Sequence, residues 1–333
     1  MRRLNLSCML LLLLGSSAHA GDLYVTTSGV SNTCTIADPC GSIQKAVIAA
    51  ASGDTIHVAA GTYVENIKLG GPMADNSLKS GLTITGAGAG ETIVVSAGPS
   101  TQRPGGTSAD IVFDVWYANT VIEKLTIKHP KGPVIARDIG VFVGPPAANT
   151  ILRKTKVVRK RSGEVFVGIA PGSRGILVFR AKGTVITRNK FKGGYEDHIH
   201  MPTSKSTITH NDVKDAVRLG IVIIQESVDS DNTGNIISKN EVEGSGSDGI
   251  QIQGDNNVVT ENEVEENGGA AIKLCGETDN DDTAGDGDCV NPFDKWAHAT
   301  GNTVTKNEFE ENGTNSVVNN GSNNTVNSNK VDD

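Results

Sequence analysis

Two histidines one residue apart, His198 and His200, stand in the stretch "GGYEDHIHMP" at 193–202. Tyr195, Glu196 and Asp197 precede them, and Arg174 and Arg218 lie about one repeat unit to either side. This combination suits removal of a proton from a carbon next to a carboxylate. Such chemistry needs a cation to neutralise the carboxylate, a base to take the proton and an acid to complete the exchange. Histidine and tyrosine fit the proton transfers, the planar arginine fork fits a carboxylate, and an aspartate can orient an imidazole. The candidate catalytic residues are therefore His198, His200, Tyr195, Asp197 and Arg218. The candidate substrate-binding residues are Arg174, Arg180, Gln225 and Lys190.

Two other readings of the stretch stand beside this one. Both histidines could be ordinary surface residues, with His198 a glycine position that has drifted. Alternatively, His-x-His-Met is a strand of soft donors compatible with copper. Against the copper reading, only Met73 and Met201 remain once the leader described below is removed.

A repeat must position these side chains. "TVITRNKF" (184–191), "STITHNDV" (206–213), "NIISKNEV" (235–242), "NVVTENEV" (257–264), "NTVTKNEF" (302–309) and "NTVNSNKV" (324–331) align on one asparagine. These are Asn189, Asn211, Asn240, Asn262, Asn307 and Asn329, at steps of 22, 29, 22, 45 and 22 residues. The longest step equals two units or one unit with a large insertion. Fainter copies precede them, with Leu125 and Thr155 at the asparagine position.

Between these copies recurs a second strand of the form small-Ile-x-aliphatic. Its isoleucines, Ile176, Ile199, Ile221, Ile250 and Ile272, are expected to point inward. Period-2 alternation and β-branched residues bounded by Gly, Asn, Asp or Ser read as strands. Units of this length fit a parallel β-helix whose coils stack about 4.8 Å apart, with asparagine amides bonding up the stack. Strict alternation then places His198 and His200 on one outer face, about 6.5–7 Å apart. The open end of such a stack needs a cover. A helix over about 42–52, with Ser42 as N-cap and Ile43, Ala46, Val47 and Ala50 on one face, supplies it.

"DLYVTTSG" and "CTIADPCGSIQKAVIAAASGDTIHVAAGTYVENIKL", both within 22–69, together with the asparagine repeats, resemble right-handed parallel β-helix proteins of the pectin-lyase-like superfamily. The resemblance implies an all-β, single-stranded right-handed parallel β-helix with an N-terminal α-helical cap. That superfamily holds lyases, hydrolases, C5-epimerases, adhesins and periplasmic binding proteins, so fold alone does not name an activity. Mannuronan C5-epimerases of this fold carry Asp-Pro-His, whereas Asp197 and His198 are adjacent here. No residue transfers by motif. The His-x-His-Met strand is also similar to β-helical periplasmic factors that serve nitrous-oxide reductase.

Composition limits the partners. Arg2 and Arg3, an apolar run and Ala18-His19-Ala20 read as a secretory signal peptide over 1–20, leaving one β-helix domain over 21–333 and no membrane span. Four cysteines remain after its removal, and their closeness in sequence pairs Cys34 with Cys40 and Cys275 with Cys289. The chain carries a net charge of −8, yet 121–218 holds nineteen Lys and Arg against seven Asp and Glu. A basic midsection in an exported, aromatic-poor chain suggests an acidic polysaccharide rather than nucleic acid. The loop insertion at 275–300 is acidic, and Asp279, Asp281 and Asp286 are candidate calcium ligands. Calcium, which often assists lyases of that superfamily, is the candidate cofactor there, and a solvated insertion that binds no metal is the other reading of the loop.

The expectation is thus a monomeric periplasmic or extracellular protein acting on an acidic polysaccharide by polyuronate lyase or C5-epimerase chemistry. A non-catalytic glycan-binding or envelope protein is the alternative, and periplasmic copper handling the third.

Overall fold

Each repeat unit closes into one coil of three short strands, and successive coils stack in parallel. The computed structural model describes residues 20–99, 101–102, 108–130, 137–159, 172–224, 232–276, 289 and 299–332. Among these, the first sheet has eleven strands, from Asp22–Val25 to Thr325–Asn327. The second has ten, from Gly61–Val64 to Lys330–Asp332. The third, also of ten, runs from Ile67–Leu69 to Thr314–Asn319, and includes Thr101–Gln102 as an antiparallel side strand. The signal segment up to residue 19, together with Gln225, Asp279, Asp281 and Asp286, lies outside the described residues.

The register follows the repeat. Ile176, Ile199, Ile221, Ile250 and Ile272 pair coil on coil in the third sheet, and each is buried to 1% exposure or less. Phe191, Val213, Val242, Val264 and Phe309 form the facing column of the second sheet. Burying each such side chain contributes roughly 1.5–3 kcal/mol. The core is therefore a continuous apolar column along the solenoid axis.

The corner between the first and second sheets explains the asparagines. One residue there adopts a left-handed conformation: Lys154, Arg188, His210, Lys239, Glu261 and Lys306 have φ of 53–59°. The residue that follows turns its side chain inside. Asn189, Asn211, Asn240, Asn262, Asn307 and Asn329 form an amide ladder, each Nδ2 donating to the next Oδ1 at 2.9–3.1 Å. The same oxygens accept a backbone N–H from the coil below. A left-handed non-glycine residue costs of order 1 kcal/mol, which these bonds offset. Because Asn262 bonds directly to Asn307, the 45-residue step is one coil with an insertion and not two coils.

The cap forms as expected. Helix α1 (Ile43–Ala49) starts at Ser42 and buries Ile43, Ala46 and Val47 over the first coils. The Glu65 carboxylate accepts from the backbone N–H of Ile43 and Gln44 and from the Ser42 hydroxyl, satisfying donors at the helix start. Both disulfides are present, Cys34–Cys40 and Cys275–Cys289. Among the described residues no helix is long and apolar enough to cross a membrane.

Candidate functional site

The strand Asp197–His200 lies in the third sheet between Arg174–Val178 and Leu219–Ile223. Arg174, Asp197 and Leu219 share one outward column, continuing from Ile139. On the next outward column His200 stands between Leu177 and Val222. Further toward the N-terminal end the outside of this sheet carries a second small core of Ala109, Ile111, Trp116, Ile139 and Phe142.

Asp197 is the centre of the site. It is fully buried and meets Arg174 Nε at 3.1 Å, Arg218 Nη2 at 3.0 Å and His200 Nδ1 at 2.9 Å. Arg174 Nε also lies 3.0 Å from His200 Nδ1. Glu196 joins both arginines, at 2.9 Å to Arg174 and 3.4 Å to Arg218. Burial alone would raise the Asp197 pKa, but Arg174, the His200 hydrogen bond and Arg218 together hold it well below the usual carboxylate range. Burial works against the charge on Arg218, and Asp197 and Glu196 more than compensate. Two guanidinium and two carboxylate charges thus cancel within the cluster.

His198 corrects the expectation from strict alternation. It does not face outward beside His200; it lies inside the solenoid with no exposed surface. The chain bends at the corner into this strand, and the ladder pairs Asp197 and Ile199 while passing over His198. Two successive side chains, His198 and Ile199, therefore turn inward. Other coils keep glycine there because the space is small. A Cβ built on Gly220 or Gly249 would approach Val242 or Val264 to 2.5 Å. His198 fits between the Phe191 and Tyr195 rings, each at 6.0 Å, and its Nε2 donates to the Lys214 carbonyl at 2.8 Å. Tyr195 is likewise an interior residue, and burial pushes its hydroxyl pKa well up. Even His200 is only 2% exposed.

The remaining predicted residues are dispersed. Arg180 lies past the strand end with its guanidinium 5.3 Å over the Phe179 ring. Lys190 lies on the outer face of the second sheet, paired with Asp212 at 2.9 Å. The structure brings together Arg174, Asp197, His200 and Arg218, adds Glu196, and leaves Tyr195, His198, Arg180 and Lys190 elsewhere.

A second cluster escaped the sequence reading. Asp110, His129 and Asp138 converge near the corner between the second and third sheets, next to Arg159 and Tyr195. Aligning the coils would have set His129 in register with Arg159 and Gly193, an unusual polar series at a strand end.

A model of the family described as "Periplasmic copper-binding protein (NosD)" matches residues 149–333, more than half of the chain. The chain belongs to the NosD family. Among solved structures, this NosD-family chain is similar to pectate lyase Pel9A, with TM-score 0.59 and 14% identity, over 94% of this chain and 78% of that one. It is also similar to XylC in its complex with xylose, with TM-score 0.54 and 12% identity over 90% and 69%. A third likeness is to the Dettilon tailspike protein, with TM-score 0.50 and 14% identity over 93% and 68%. At such identity these likenesses establish the parallel β-helix and nothing further. No curated protein matches.

Copper, implied by the NosD description, can be tested on the donors. His198 Nε2 is engaged by a backbone carbonyl, Met201 is sealed in the core, and His200 stands on the opposite face of the strand. Met73, at 99% exposure, belongs to a different coil. Among the described residues the soft donors do not converge, so the His-x-His-Met strand does not fit a copper ion.

Proposed function

We propose that this NosD-family chain is an exported protein that binds an extended acidic polysaccharide along the corner between its first and second sheets. One observation carries the reading: cations recur there coil after coil. Lys124, Lys154, Arg188, His210 and Lys239 occupy successive left-handed turn positions, where side chains project into solvent. Lys156 and Lys190 pair in register beside them, and Lys128 and Lys192 lie on the next outward column. Lys128, Lys154, Lys156 and Arg188 make no ion pair among the described residues. The cations repeat at the coil spacing of about 4.8 Å, close to the length of one sugar in an extended chain. A polyuronate with one carboxylate per sugar matches that repeat. Disulfides and the family description are consistent with export.

The experiment is titration of polygalacturonate and alginate at several salt concentrations, with a neutral glucan as control. Binding of a polyuronate should weaken steeply with salt and fall at least tenfold in the double variant Lys154→Glu/Arg188→Glu. Equal binding by the double variant would overturn the reading.

A second reading, proton transfer at His200, is favoured by the Asp197–His200 hydrogen bond and the arginines flanking it. The two differ in outcome. If His200 is a base, unsaturated sugar ends or deuterium at C5 appear with wild type and vanish in His200→Ala, while binding persists. Since both arginines already face carboxylates and His200 is nearly sealed, binding without turnover is the expected result.

A further inference from the structure

Asp110 and Asp138 are register partners on adjacent coils of the third sheet, and His129 ends the second-sheet strand of Asp138's own coil. One carboxylate oxygen from each aspartate and one ring nitrogen of His129 all lie within 4.8 Å of one another. All three precede the segment matched by the family model.

The two aspartates are partnered unequally. Asp138 is paired with Arg159 at 2.7 Å. Asp110, only 6% exposed, has the Ser96 hydroxyl at 2.6 Å and the Asn66 amide at 3.3 Å, but no Lys or Arg among the described residues. A buried carboxylate is normally paired with a cation or bound to a metal. His129 Nε2 lies 3.8 Å from the Asp110 carboxylate and faces the same space. Each of the three is also held from behind: Tyr195 Oη lies 2.8 Å from His129 Nδ1, Ser96 holds Asp110 and Arg159 holds Asp138. Such outer partners orient metal ligands and set the histidine tautomer.

We propose that Asp110, His129 and Asp138 form a binding site for one divalent cation of the zinc or manganese type, through Nε2 and one oxygen of each carboxylate. Two hard oxygens and one imidazole suit these ions and not monovalent copper, which prefers sulfur. Metal–ligand bonds of about 2.0–2.2 Å require the three groups to draw together by about an ångström. At present His129 Nε2 lies 3.2 Å from the Asp110 carbonyl, a donor's position. Metal binding moves that ring proton to Nδ1, where the Tyr195 oxygen accepts it; the proton count is unchanged. Tyr195 is then a positioning residue.

The test uses full-length protein freed of metal by a chelator and titrated calorimetrically with Zn²⁺ and with Mn²⁺, alongside melting curves. One saturable equivalent and a higher melting temperature are expected. Asp110→Asn and Asp138→Asn should each weaken binding at least tenfold. Tyr195→Phe should weaken it less and shift the His129 ring nitrogens in the NMR spectrum of the loaded protein. Failure of both ions to saturate wild type at millimolar concentration would overturn the site, as would saturable binding that both asparagine variants retain. If a variant does not fold, the wild-type titration and the His129 nitrogen shifts on loading decide alone.

Discussion

The third sheet and the corner between the first and second use the same charged residue types to opposite effect. At Asp197 two arginines, two carboxylates and a histidine are packed into one largely buried knot whose guanidinium and carboxylate charges cancel. At Lys154, Lys156 and Arg188 like charges stand in water, repeating along the axis without ion-pair partners among the described residues. Charge that is internally cancelled holds a structure together, and charge left open is available to a partner. Chemistry-bearing residues in a sequence therefore do not mark a site until their solvation is known.

The largest effect expected on this comparison is from Asp197→Ala. It leaves two buried or half-buried guanidinium groups facing a gap and should destabilise the fold by about 3–5 kcal/mol, read from denaturant unfolding. A loss under 1 kcal/mol would mean that the knot is solvated like the lysine corner. His198→Ala comes next. Because the ring fills interior space, its loss should cost roughly 2–4 kcal/mol, in line with other large-to-small core changes. His200→Ala, on the outward column, should cost less.

The acid dependence gives a third test. Asp197 has a folded pKa below its unfolded value of about 3.9, so its contribution is complete above that pH and is lost as pH falls toward the folded value. Melting temperature should decline below about pH 4 in wild type, and the decline should be shallower in Asp197→Asn. The smallest effect belongs to the open corner: Lys154→Glu should change stability by no more than about 0.5 kcal/mol while weakening polyuronate binding. A clear stability loss there would show that the ladder of cations is structural.

Much of the fold was legible in the sequence because its period is carried by one residue with an unambiguous job. An asparagine after a left-handed turn residue bonds to the coils on both sides of its own, and few other side chains can do so. The inward isoleucines followed from alternation alone. The same alternation failed at His198, because a corner that turns two neighbours inward leaves no mark in the residue types. Only the small size of Gly175, Gly220 and Gly249 hinted that this column was interior. Asp110, His129 and Asp138 were missed for another reason. They lie where the repeat is faint, with Leu125 and Thr155 at the ladder position, so their coils could not be aligned well enough to bring them together.

The amide ladder has an evolutionary consequence. Asn211 and Asn240 are 29 residues apart, and Asn262 and Asn307 are 45 apart, yet the bonds match those across 22 residues. In both cases the extra residues fall between a third-sheet strand and the next first-sheet strand, never at the asparagine corner. Closing a flexible loop of doubled length costs only about 0.6 kcal/mol more. The corner from the third sheet into the first is therefore a low-cost entry point for new sequence, while the scaffold's register is preserved by the opposite edge.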